Sequence, residues 1–172
     1  RLSDPFWGLV AVARQLQGPG GCPWDRAQTI QTLLPHLVEE TWEVFCAARH
    51  HDRTHLREEL GDVLYTVVFL TLLAERKRWF TLKELLRQTQ RKMIRRHSHV
   101  FGARQAQTAQ DAYAHWQAAK QQERRHRRAT SPTHQLAEET RQRLRPILMA
   151  LWEELRQELQ TSQRPRSKRS VP

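Results

Sequence analysis

His55-Leu56-Arg57-Glu58-Glu59-Leu60-Gly61-Asp62-Val63-Leu64-Tyr65-Thr66-Val67-Val68-Phe69-Leu70-Thr71-Leu72-Leu73-Ala74 is the stretch that decides the fold. Its positions Leu56, Leu60, Val63, Leu64, Val67, Val68, Thr71 and Leu72 recur at the three- and four-residue intervals of one helix face. Val63 to Ala74 is strongly apolar, yet shorter than the roughly 20 residues a bilayer requires. The stretch therefore predicts a buried helix from about His55 to Arg78, the most buried of the chain, with Asp52 or Thr54 as its N-cap. With only 6 Gly and 8 Pro in 172 residues, the turns that an all-β fold needs are missing, and the fold class expected is all-α.

Working outward, a preceding helix is expected from about Thr29 to His50, with Leu33, Leu37, Thr41, Val44 and Ala48 along one side and Pro35 as a kink in its first turns. Before it, Gln17-Gly18-Pro19-Gly20-Gly21 is a loop that ends a first helix over Leu2 to Leu16. After the central stretch, Thr81 with Glu84 three residues on has the form of a capping box, starting a helix that ends near Arg96. His97 to Gly102 reads as a turn, and Thr108 to Arg128 as a further helix with Ala112, Trp116 and Ala119 on one stripe. The domain division expected is 1–129 for the folded core, 130–160 for a helical extension and 161–172 for a basic, disordered tail.

The charge is uneven. From Lys120 to Pro172 there are 13 basic and 6 acidic residues, a net of +7, against +4 over the first 119 residues. Basicity of this kind attracts polyanions in general, so the C-terminal arm is a candidate nucleic-acid contact without defining what the core does. Cys22 and Cys46 form neither a metal-type spacing nor a disulfide framework, which predicts a reduced, cytoplasmic setting. The opening at Arg1 has no basic head followed by an apolar run, so neither a secretory leader nor a membrane partner is expected.

The chemistry lies in two acidic clusters, Glu39-Glu40-Thr41-Trp42-Glu43 and Glu58-Glu59-Leu60-Gly61-Asp62. Residues three apart share a helix face, so Glu40 pairs with Glu43 and Glu59 with Asp62. A short connection makes the two helices antiparallel neighbours, which can turn the pairs toward each other. Four facing carboxylates repel unless a cation sits among them, and Mg2+ takes such hard oxygen donors. The plainer alternative, a solvated acidic helix face, remains open at this level. Against it, no Lys or Arg follows four residues after these acids, and Gly61 costs a helix about 1 kcal/mol, which calls for a packing or ligand reason. Lys92, Arg95 and Arg96 cluster at the end of their helix, where they either offset its C-terminal dipole or hold phosphate. Trp116 and Lys120, four apart, repeat that theme, although Trp116 suits a core equally well. His50, His51, His55, His97 and His99 read as surface histidines.

Taken in order, Gly21-Cys22-Pro23-Trp24-Asp25, Gln28-Thr29, the EExxE of Glu39 to Glu43, Glu59-Leu60-Gly61-Asp62 and Arg95-Arg96-His97-Ser98-His99-Val100-Phe101-Gly102 resemble the MazG nucleoside triphosphate pyrophosphohydrolases, over about Leu9 to Glu123. The resemblance implies a four-helix-core, dimeric fold that hydrolyses nucleoside triphosphates between the α- and β-phosphates, releasing nucleoside monophosphate and pyrophosphate, with a role in nucleotide-pool house-cleaning. It implies Mg2+ as cofactor, or Mn2+ in its place, held by Glu40, Glu43, Glu59 and Asp62, with Glu39 in an outer shell. It further implies phosphate contacts from Lys92, Arg95 and Arg96, and closure of the site by Trp116 and Lys120. The Cys22-to-Asp25 segment would contact the base or a partner subunit. Arg26 stands where the family usually has Lys, and Ser98 where it has Pro. The chain is similar to the first domain of tandem members, with the second replaced after Ser131, which lowers the catalytic strength expected. The alternative is a weakly active or non-catalytic helical module whose basic arm binds nucleic acid or a protein partner.

Overall fold

The computed structural model describes residues 4–128 and a few helical residues beyond, at 142–143, 145–146 and 149–150. The boundaries expected after 129 and 160 lie outside the described residues. Those residues are all-α, with no strand among them. The helices are α1 (Pro5–Gln17), α2 (Pro23–Ala27), α3 (Ile30–Arg49), α4 (Arg53–Arg76), α5 (Leu82–Arg96), α6 (Ser98–Phe101) and α7 (Ala109–Arg128). The chain divides into two compact units after Arg91.

In the first unit, the longer helices α1, α3, α4 and α5 start at side-chain caps. Asp4 caps α1 by accepting from the amides of Phe6 and Trp7, at 2.9 and 3.3 Å. Thr29 and Thr32 cap α3 reciprocally, and α3 continues through Pro35. Asp52 rather than Thr54 caps α4, accepting from Thr54 N at 3.1 Å and His55 N at 3.0 Å. The connection between α3 and α4 is only His50 to Asp52, made tight by a left-handed His51 at φ 55°. Such a link leaves the two helices antiparallel and in contact along their length. The capping box at α5 forms as its residues imply: Thr81 N donates to Glu84 at 2.7 Å, and Glu84 N to Thr81 Oγ1 at 3.2 Å. Thr81 N and Thr81 Oγ1, the latter at 2.8 Å, both donate to the Glu84 carboxylate and hold it below its ordinary range.

The hydrophobic core gathers around α4. Val68 and Leu72 pack with Val10 and Ala13 of α1 and with Leu82, while Phe69 and Leu73 pack with Leu33 of α3. Each such side chain taken fully out of water contributes about 1.5–3 kcal/mol. Glu75, near the end of α4, ties three elements together by accepting from Arg14 of α1 at 2.7 Å and from Leu82 N of α5 at 2.6 Å.

The face of α4 agrees with expectation at Val68, Thr71 and Leu72, which are buried, and differs elsewhere. Leu60, Leu64 and Val67 are 52%, 44% and 38% exposed, whereas Thr66, Phe69, Leu73 and Ala74 are buried. The second half of α4 is apolar all round, so its sequence period does not choose a face. The positions of α1 and α3 choose it. On α3 the buried positions are Leu33 and Ala47, while Thr41 and Ala48 are exposed. Two short segments also fold further than their sequence suggests: the Cys22-to-Asp25 motif caps and opens helix α2, and the turn after His97 contains the single helical turn α6.

Candidate functional site: a carboxylate centre and a cationic cluster

The carboxylates occupy the antiparallel pair α3 and α4 in the first unit. Glu40 and Glu43 stand one turn apart on α3, and Glu59 and Asp62 one turn apart on α4. Carboxylate oxygens of Glu40, Glu59 and Asp62 lie within 4.8 Å of one another. Glu43 joins a second group with Glu59 and the imidazole of His55, again within 4.8 Å. Glu59 is therefore common to both groups, and it is the buried member at 4% exposure.

The electrostatics follow from this crowding. Burial pushes the Glu40 carboxyl above its ordinary value, and the charges of Asp62, Glu43, Glu59 and Glu39 add to the rise. Glu39 acts only at that distance, since its own side chain is mostly exposed and lies 3.7 Å from His36. Glu59 Oε1 meets His55 Nε2 at 2.6 Å, but Glu59 Oε2 is buried with no hydrogen-bond partner. A buried, unsatisfied carboxylate oxygen is costly, of order 1–3 kcal/mol or more for a charged group. Hard oxygen donors with one lone pair unclaimed fit a divalent cation.

Two sequence expectations change here. His55 is not merely a surface histidine: four residues before Glu59, it shares that residue's helix face, a spacing visible in the sequence. Gly61 needs no packing explanation, because a β-carbon at that position would meet nothing within 4 Å.

The Cys22-to-Asp25 motif also belongs to this unit. Trp24 is 54% exposed and sets its ring edge-on to His36 of α3, with centroids 5.7 Å apart. Asp25 is buried, and the Tyr65 phenol is pushed up by burial and then by the charges of Asp25 and Cys22.

The cations predicted for phosphate are organised in the second unit. Arg96 makes a bidentate contact to Glu123 of α7, with Nη2 at 2.7 Å and Nε at 3.1 Å, and Arg95 reaches the same carboxylate at 3.2 Å. Burial raises the Glu123 pKa, but the Arg96 and Arg95 contacts outweigh it and leave the group below its ordinary value. Two cations lie over the Trp116 ring, Lys120 Nζ at 4.4 Å and the Arg96 guanidinium carbon at 5.5 Å from its centroid. Trp116 is thus a half-buried platform rather than a core residue. Lys92 is half-buried on α5. Glu123 went unnoticed in the sequence because the residues it joins lie 27 and 28 positions away. His97 donates from Nδ1 to Met93 O at 2.7 Å, while His99 stacks on His115.

Comparison with known proteins finds similar chains. Residues 28–101, which include all four carboxylates, match the family described as the MazG nucleotide pyrophosphohydrolase domain. The chain is 40% identical over 119 residues to the nucleoside triphosphate pyrophosphohydrolase/pyrophosphatase MazG of Thermotoga maritima, covering 69% of this chain and 45% of that one. It is 38% identical over 117 residues to the nucleoside triphosphate pyrophosphohydrolase of Escherichia coli, covering 67% and 44%. The chain thus spans less than half the length of these curated relatives. A crystal structure of a mazG-related protein from Thermotoga maritima superposes with a TM-score of 0.56 at 26% identity, covering 68% of this chain and 97% of that one. Residues 28–101 thus match the MazG nucleotide pyrophosphohydrolase domain, and the ordered motifs and the all-α fold agree with that match.

Proposed function

We propose that the chain hydrolyses nucleoside triphosphates to nucleoside monophosphate and pyrophosphate, using Mg2+ held by Glu40, Glu43, Glu59 and Asp62. The observation that carries this reading is Glu59: a buried carboxylate with one oxygen unclaimed, set among three other acids on two helices. When bound, Mg2+ neutralises phosphate oxygens and raises the acidity of water. The chain's own part is to hold that ion, to accept a proton from the attacking water at one of the crowded carboxylates, and to spread phosphate charge over cations. Within the second unit, Lys92, Arg95, Arg96 and Lys120 are the cations that the resemblance implies for phosphate, and charge-assisted contacts suit that group. Water adds to phosphorus, the bond between the α- and β-phosphates breaks, and pyrophosphate leaves with the electron pair. Removal of surplus or non-standard nucleotides in the cytoplasm is the role that suits such a reaction.

The chain acts as a homodimer in this reading. Leu34, Val38 and Trp42 stand at four-residue intervals on α3 and are 48%, 70% and 60% exposed. Leu60, Leu64 and Val67 form a comparable stripe on α4. Apolar stripes of this extent usually mark an interface, and a second copy offers a matching surface. No described helix is long and apolar enough to cross a membrane.

The experiment is pyrophosphate release from a panel of nucleoside triphosphates, with and without Mg2+ or Mn2+. Release of pyrophosphate only with the metal is expected; release of orthophosphate, or none from any triphosphate, would overturn the reading.

A further inference from the structure

We propose that Glu43, His55 and Glu59 form a mixed nitrogen–oxygen cation subsite, distinct in selectivity from the all-carboxylate group of Glu40, Glu59 and Asp62, and suited to a divalent transition metal of the Zn2+ or Co2+ kind. The inference rests on the reading of the carboxylates as a metal centre and adds a donor outside that set.

Three observations carry it. The donor atoms of the trio lie within 4.8 Å of one another, close enough to converge on one ion. Glu59, whose side chain is 6% exposed, has an oxygen with no hydrogen-bond partner, so the 2.6 Å contact to His55 does not satisfy it. The third is that the two donor groups share Glu59 but differ in chemistry: one offers only oxygen, the other an imidazole nitrogen. A carboxylate can bridge two ions, so the groups are compatible with simultaneous occupancy.

Position makes His55 a ready donor. Its backbone is fixed by the amide hydrogen bond to Asp52 at 3.0 Å, in the first turn of α4. Its side chain is 45% exposed, which leaves a path from solvent. One turn on, Glu59 shares that helix face, and an ion between the pair would replace the 2.6 Å contact of His55 Nε2 with Glu59 Oε1. Imidazole favours Zn2+, Co2+ and their neighbours, whereas oxygen-only sets suit Mg2+. The nitrogen donor therefore gives the subsite a preference that carboxylates alone lack.

The test is titration of the full chain, free of substrate, with Mg2+ alone, Zn2+ alone and Co2+ alone, for wild type and for His55→Ala and His55→Gln. Wild type should bind Zn2+ and Co2+ more tightly than Mg2+. Both variants should lose about tenfold or more of their Zn2+ and Co2+ affinity, a typical effect of disturbing a metal's donors, while Mg2+ affinity stays within about threefold. The visible absorption of bound Co2+ should shift on substitution. An equal loss for Mg2+ and Zn2+ would make His55 a positioning residue for Glu59 and overturn the subsite. No transition-metal preference in wild type would overturn it as well, with Mg2+ binding intact. Loss of all cation binding in wild type would instead overturn the metal-centre reading beneath it.

Discussion

At the scale of single residues, the carboxylates crowd one another between α3 and α4. Glu43→Gln keeps size and removes one charge. Hydrolysis should fall by orders of magnitude, and the Mg2+-induced rise in Tm should shrink, while the metal-free protein should be at least as stable as wild type because one like-charge repulsion is gone. Full activity with an unchanged Mg2+ response would remove Glu43 from the centre. Glu40 adds a pH dependence. Burial and its acidic neighbours raise its folded pKa above the ordinary value of 4.5. A group raised on folding favours the folded state below its unfolded pKa, and that advantage is lost as pH rises through the folded value. Without metal, the Tm of wild type relative to Glu40→Gln should therefore decline as pH rises above about 4.5; a flat difference would contradict it. Lys92→Ala should leave the helical signal intact and lower kcat/KM about ten- to a hundredfold, as expected for a charge-assisted contact of roughly 1.5–3 kcal/mol. Unchanged kinetics would take Lys92 out of the site.

At the scale of elements, α4 combines two roles. Its second half is the core, and its first half presents Glu59 and Asp62 between the cap at Asp52 and the buried run from Thr66. Gly61 sits within that acidic turn with open space around its α-carbon. If the isolated chain were all that mattered, Gly61→Ala should stabilise α4 by about 1 kcal/mol through helix propensity alone. Thermal unfolding should show that gain, whereas activity or dimerisation should fall if substrate or a second copy needs the space. A loss of thermal stability in the metal-free monomer would show that packing does demand glycine there.

For the whole molecule, the exposed stripes on α3 and α4 are the surface with the clearest consequence. Placing a charge there, as in Leu64→Glu, should dissociate the proposed dimer while leaving each chain helical, because Leu64 is 44% exposed and makes no part of the buried core. Sedimentation or light scattering checks it: a wild-type monomer, or an unaltered dimer in the variant, would rule out these stripes as the contact.

Local chemistry in the sequence determined where the helices start and that the acids come in one-turn pairs. Thr81 with Glu84 and Asp52 before α4 are short-range interactions, complete within a few residues, so they are legible without a fold. The i, i+3 spacing of Glu40 with Glu43 and of Glu59 with Asp62 is likewise a property of one helix. The tertiary structure alone decided which side of α4 is buried. Phe69 and Leu73 rather than Leu60, Leu64 and Val67 face inward, because an apolar helix accepts whichever neighbours arrive, and α1 and α3 arrive on that side. It also decided that Glu59 is the buried acid while Asp62 stays exposed, and that Glu123 gathers Arg95 and Arg96. Burial and contacts between elements depend on distances that the chain acquires only when separate helices pack, and no spacing along the sequence encodes them directly.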